Sequence, residues 1–131
     1  MTTFIYKGYL TTHASSGDAT NLKATSLHVV VADKDTPFSY TRIPGDDGIT
    51  LTSPIIELRI DGKVVSPEEL DAEIVQISWT DNNVSNVLFI TLGQQQFAMQ
   101  ISGTDIPTFS SPGQYNDFID SIVRSRPLTW G

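Results

Sequence analysis

Residues 73–102 constrain this chain more than any other stretch. Val75, Ile77 and Trp79 alternate with Gln76, Ser78 and Thr80. Residues 87–92 are apolar almost throughout, and Phe97, Met99 and Ile101 alternate with Gln96, Ala98 and Gln100. A period of two sends successive side chains to opposite faces of a sheet. The pattern predicts three consecutive strands with turns at Asp81-Asn82-Asn83 and Gly93-Gln94-Gln95. The strand that is apolar on both sides belongs in the middle, covered above and below. Gln76, Ser78 and Gln100 are expected to point outward.

Further extended segments read out on the N-terminal side, over residues 4–10, 26–32, 38–43, 49–52 and 55–60. Gly8 inside the first implies a bulge or a close backbone approach. Residues 11–20, rich in Thr, Ser, Ala, Gly and Asp, read as a loop. Pro37 cannot donate to a ladder and ends the second segment. Pro44-Gly45-Asp46-Asp47-Gly48 is a turn. In the segment 55–60, alternation places Ile56, Leu58 and Ile60 inward and Glu57 and Arg59 outward. Asp61-Gly62 between two apolar runs is a hairpin signal. Ser66-Pro67-Glu68-Glu69 combines an N-cap with a first-turn proline and predicts a short helical turn to about Ala72.

The C-terminal part carries a helix. Ser111-Pro112-Gly113-Gln114 opens it with a capping pattern. Tyr115, Phe118, Ile119, Ile122 and Val123 then fall on one stripe at helical spacing. The predicted helix spans 112–125 and Pro127 stops it, leaving Leu128 and Trp130 to dock on the body. No repeat or shift of composition divides the chain, and 131 residues fit one domain. The reading is a single β-rich α+β domain over 1–131. About seven antiparallel strands form a curled sheet or small barrel, capped by one C-terminal amphipathic helix.

That order of elements resembles the pleckstrin-homology-like superfold, a bent seven-strand barrel closed at one end by a final helix. A lipocalin-like cup is the alternative architecture. Phosphoinositide-binding members of the superfold carry basic residues around the first hairpin. The matching segment here, residues 11–23, holds only His13 and Lys23 as cations. The resemblance therefore implies a fold and no lipid head group.

The chemistry the sequence permits is narrow. With 15 acidic and 8 basic residues the formal charge is −7, a field that repels nucleic acid and anionic membrane surfaces. The absence of cysteine removes disulfides, thiolate nucleophiles and Cys-ligated zinc. With no basic-then-apolar leader pattern at the start, it points to a cytoplasmic setting. No metal or cofactor is expected. His13 and His28 lack a shared ligand spacing, and Asp33 and Asp35 begin like a calcium loop without its later Gly and Glu. Gly45-Asp46-Asp47-Gly48 is no phosphate loop. No G-x-S-x-G elbow occurs. The candidates for acid–base work are His28 as a base and Glu57 with Arg59 beside it. The ordinary reading of the same residues is a strand histidine and an ion pair on a polar face. If the barrel is hollow, Tyr6, Tyr40, Trp79, Phe97 and Met99 line a ligand pocket.

Two functions fit. The first is a non-enzymatic binding or interaction module whose sheet edge, open face or C-terminal tail contacts another protein or a second copy of the chain. The second is a small-molecule carrier or pocket enzyme built round an apolar cavity.

Overall fold

A computed structural model of the chain describes residues 2–32, 40–42, 48–51, 55–66, 71–80 and 82–130. The strands are β1 (Thr2–His13), β2 (Ala19–Val31), β3 (Tyr40–Arg42), β4 (Gly48–Leu51), β5 (Ile55–Ile60), β6 (Lys63–Val65), β7 (Asp71–Trp79), β8 (Asn83–Leu92) and β9 (Gln95–Gly103). The helix α1 (Pro112–Asp120) and the strand β10 (Ile122–Trp130) follow. Eight strands run antiparallel in the order β10-β7-β8-β9-β1-β2-β5-β6. At the β10 edge, β4 adds in parallel, with β3 outside it. The sheet is not closed: the order runs from β3 at one end to β6 at the other. Among the described residues no helix is long and apolar enough to cross a membrane.

The three predicted central strands are β7, β8 and β9, and the register shows how both faces of β8 are covered. Leu88 lies opposite Ile74 and Met99, whereas Val87 lies opposite Val75 and Gln100. Ile74, Leu88, Ile90, Phe97 and Met99 join Leu27, Val29, Val31, Leu58 and Ile60 in one core. Residues from β2 and β5 meet residues from β7 and β8 there because the sheet curls over on itself. Val75, Ile77, Val87 and Ala98 form a second core on the opposite face, where Phe118 of α1 seals them. The two alternating sets read from the sequence thus serve opposite faces, and Gln100 lies on the helix side instead of outside.

Local chemistry accounts for the elements. Asp61 and Gly62 take φ of 52° and 78°, the paired positive angles of a hairpin turn that suits strand twist. The Asp61 carboxylate accepts hydrogen bonds from Lys23 at 2.8 Å and Thr25 at 3.1 Å, which hold its carboxyl below the usual range. Helix α1 starts as expected: the Ser111 hydroxyl accepts from the Gln114 N–H at 3.2 Å and Pro112 occupies the first turn. Buried Tyr115 and Phe118 on its inner face stabilise the helix by roughly 1.5–3 kcal/mol each. Asn116 clamps the start of β2, accepting from the Ala19 N–H and donating to the Ala19 carbonyl, both at 2.9 Å.

Four readings are corrected. The helix ends at Asp120, not 125: the Ser121 N–H closes it on the carbonyls of Asp117 and Phe118. The residues that continued the apolar stripe, Ile122 and Val123, open β10 instead. Their β-branched side chains suit a strand, and β10 pairs with β7 from Ile122↔Trp79 to Leu128↔Ile74. The expected docking tail is therefore part of the sheet. Half of residues 11–20 is strand, because Thr is at home in a sheet: Thr11–His13 end β1 and Ala19 and Thr20 open β2, with the turn confined to 14–18. Ile56 is 47% exposed. A register shift opposite Val30 and Val31 makes it the extra residue of a bulge and turns Ile55 to the core. The predicted helical turn and the Pro44–Gly48 turn fall largely outside the described residues, although Asp71 and Ala72 already belong to β7.

Candidate functional site: the open edge of the first strand

Strand β1 pairs with β2 along its whole length, from Thr2↔Val31 to His13↔Ala19. Its other side pairs with β9 only from Tyr9↔Ala98 to Thr12↔Gln95. Beyond that the two strands part. Residues 2–8 of β1 have no strand on this side among the described residues, while β9 runs on to Gly103 beside β8. The parting begins at Gly8. A Cβ built there stands 2.5 Å from the Ala98 carbonyl oxygen and 2.6 Å from the Phe97 ring. Glycine lets the backbones approach closely at this point, and the Phe97 ring fills the space a side chain would take.

The direction of the backbone follows from the ladders. The Ser26 carbonyl accepts from the Asp61 N–H at 3.4 Å, so Ser26 turns its polar groups toward β5. Its partner across the β1–β2 ladder is Lys7. By the alternation of antiparallel pairs, Lys7, Ile5 and Thr3 aim N–H and C=O at the open side, and Phe4 and Tyr6 aim theirs at β2. The His13 N–H, of the same parity, reaches Gln94 on the β9 side at 2.9 Å. The side chains divide likewise. Phe4 and Tyr6 rest half-buried on the rim of the first core with Ile101, and Ile5 is 63% exposed on the outer face.

A cleft of about 530 Å³ lies where the strands part, lined by Lys7, Gly8, Tyr9, Gln100, Ile106 and Pro107 among others. The Gln100 side chain builds its far wall. Its Nε2 donates to the carbonyls of Gly103 at 3.1 Å and Thr104 at 2.8 Å, and its Oε1 accepts from the Ile106 N–H at 2.8 Å. The Tyr9 hydroxyl accepts from the Phe109 N–H at 2.9 Å, and the Phe109 ring stands edge-on to Tyr9, with centroids 5.2 Å apart. Deeper in, the Trp79 indole N–H donates to Ser85 Oγ at 3.0 Å, and that hydroxyl donates to the Thr104 carbonyl. The loop that follows β9 is thus fixed at both of its ends.

The candidates read from the sequence lie in different places. His28 sits opposite both Ile5 and Arg59, and Glu57 bonds Arg59 at 3.3 Å. The structure brings His28, Glu57 and Arg59 together on the outer face of β2 and β5. Their neighbours Ile5 and Val64 are more than 60% exposed, so nothing there shields a reacting group from water. Tyr6, Phe97 and Met99 belong to the first core and Trp79 to the second, on the other face. These four therefore do not line one cavity, and the Tyr40 side chain is outside the described set. Among the described residues no three His, Asp or Glu side chains cluster to hold a metal ion.

One network escaped the sequence reading because Thr11, His13 and Gly17 lie in a segment read as a loop and Tyr115 comes from the distant helix. His13 Nδ1 meets the Gly17 carbonyl at 2.9 Å, so that nitrogen carries the proton. Its Nε2 lies 2.7 Å from the Thr11 hydroxyl. The Tyr115 hydroxyl of α1 bonds to Thr11 in turn. Thr11 is fully buried, and the hydroxyl–imidazole pair joins helix to hairpin. Burial pushes the Tyr115 hydroxyl up to about 12, against the smaller opposing effect of the Thr11 bond. Because the folded value lies above the unfolded one near 10, this contribution to stability is intact below pH ~10 and is lost as pH rises toward ~12. The loss is on the order of 2–3 kcal/mol. Urea midpoints of the native chain should fall across that interval more steeply than those of Tyr115→Phe; parallel curves would refute the burial of this hydroxyl.

Comparison of the chain with protein-family models, with curated proteins and with solved structures yields no match in any of the three.

Proposed function

We propose that the protein is a non-enzymatic binding module, cytoplasmic in setting, that accepts an extended protein segment along the open side of β1. The observation that carries this reading is that residues 2–8, among the described residues, pair on one side alone. A row of backbone donors and acceptors facing outward from a preformed strand is a template for an added strand. The surroundings support it. Half-buried Phe4, Tyr6 and Ile101 at the mouth offer apolar contact to the inward side chains of a visiting segment, and exposed Ile5 offers contact to the outward ones. The likeness to the pleckstrin-homology-like superfold rests on element order and adds no ligand to this reading.

A second reading, a small-molecule site, draws on the 530 Å³ cleft beside Lys7. It is less favoured because the polar groups of the cleft wall are already engaged: Gln100 holds the loop and Tyr9 holds Phe109. Selection of displayed random heptapeptides against the protein separates the two. Peptides that bind should shift the amide resonances of Thr3, Ile5 and Lys7 more than those of any other strand. Shifts confined to His28, Arg59 and Val64, or a library without binders for the chain held dilute enough to be monomeric, would overturn strand addition.

A further inference from the structure

We infer that the segment β1 accepts is the β1 of a second copy of the chain, paired antiparallel about a two-fold axis through Ile5. The inference rests on the strand-addition reading and names its partner. A two-fold contact must be self-complementary, and residues 2–8 meet that condition. With Ile5 opposite the partner's Ile5, Thr3 falls opposite the partner's Lys7 and Phe4 opposite the partner's Tyr6. The residues whose N–H and C=O aim at the open side are Thr3, Ile5 and Lys7. The Ile5 pair therefore exchanges two hydrogen bonds, and each flanking Thr3–Lys7 pair exchanges two more. A register centred on Phe4 or Tyr6 is hydrogen-bonded too, but it sets Ile5 opposite a threonine or a lysine instead of its own copy.

The side chains agree with this register. On the outer face two Ile5 side chains, each 63% exposed in the single chain, cover one another. On the inner face each Phe4 meets a tyrosine across the axis, an aromatic cross-strand pair that stabilises a ladder. It also closes the mouth where Phe4 and Tyr6 rim the first core. Charge favours the same place. The chain carries −7, yet residues 2–8 hold no acid and a single lysine, so two copies approach here against less repulsion than elsewhere. The edge also lacks the usual protections: there is no proline, no inward-facing charge and no bulge in residues 2–8.

The test uses the full chain and its lack of cysteine. In a hydrogen-bonded antiparallel pair the Cα atoms stand about 5.5 Å apart, within reach of a disulfide. Under mild oxidation Ile5→Cys should convert to a covalent dimer at least tenfold faster than Val123→Cys, whose position is 76% exposed on a different strand. Sedimentation velocity of the unmodified chain should move with concentration toward twice the chain mass. Ile5→Lys sets like charges opposite one another and should weaken association on the order of tenfold or more, with an unchanged circular dichroism spectrum. Equal cross-linking of the two cysteine variants, a chain that stays monomeric at all concentrations, or an Ile5→Lys variant that associates as before would each overturn the inference. Heptapeptides that bind at Thr3, Ile5 and Lys7 of a monomeric chain leave strand addition standing and remove only the second copy.

Discussion

Phe97→Ala is expected to lower the unfolding free energy by about 3–5 kcal/mol, the cost of emptying a large aromatic site in a packed core. Phe97 is fully buried. It lies opposite Leu10 on β1 and Ile90 on β8, so its ring ties the hairpin of β1 and β2 to the central strands. At ~4 °C per kcal/mol for a chain of this size, the midpoint of thermal unfolding should fall by ~12–20 °C. Ala98 is nearly as buried, but it faces the helix side. Ala98→Ser should therefore affect α1 and leave the first core intact. A Phe97→Ala loss under about 1 kcal/mol would mean that the curled sheet does not close round this ring.

Gly8→Val is the second large effect, and it comes from adding atoms. The new Cβ stands 2.5 Å from the Ala98 carbonyl oxygen, 2.6 Å from the Phe97 ring and 3.0 Å from the Met99 Cβ. The ring can shift a little, but a carbonyl held in the β1–β9 ladder opposite Tyr9 cannot. Overpacking of this kind costs about 1–3 kcal/mol and more where backbone must move, so a loss of ~3 kcal/mol is expected despite the strand propensity of valine. Combining Gly8→Val with Phe97→Leu should cost less than the sum of the two single changes, by ~1 kcal/mol, because the leucine relieves one of the two close contacts. Urea unfolding of the four proteins measures the coupling; strict additivity would place the Phe97 ring away from Gly8.

What the sequence disclosed about this fold was what short-range chemistry decides. The Asp61-Gly62 hairpin, the start of α1 at Ser111 and Pro112, and the three central strands are each set by residues within a few positions of one another. The misreadings lie where distant pairing decides. Ile122 and Val123 continue the helical stripe of Tyr115, Phe118 and Ile119, and only the partner strand β7 turns them into a strand. Val123 is then pushed out to 76% exposure, because the register slips between Ile122 and Arg124. The bulge that turns out Ile56 is equally invisible before β2 is known to lie beside it.

The candidate site was less legible still. Glu57, Arg59 and His28 share a face as strand periodicity allows, but an open face does no acid–base chemistry by itself. The side of β1 left open at Gly8 depends on where β9 stops pairing, and no periodicity encodes that. The sequence did carry two faint marks of it: a glycine inside a strand, and an exposed-face isoleucine in a segment without acids.

Hydrogen exchange along β1 tests the central claim most directly, with the chain dilute enough to be monomeric or carrying Ile5→Lys. One-sided pairing predicts an alternation: the amides of Phe4, Tyr6 and Gly8, bonded to β2, exchange slowly, and those of Thr3, residue 5 and Lys7 exchange at least tenfold faster. Uniform protection of all six would contradict the account, since it would show both sides of the strand already taken within the single chain.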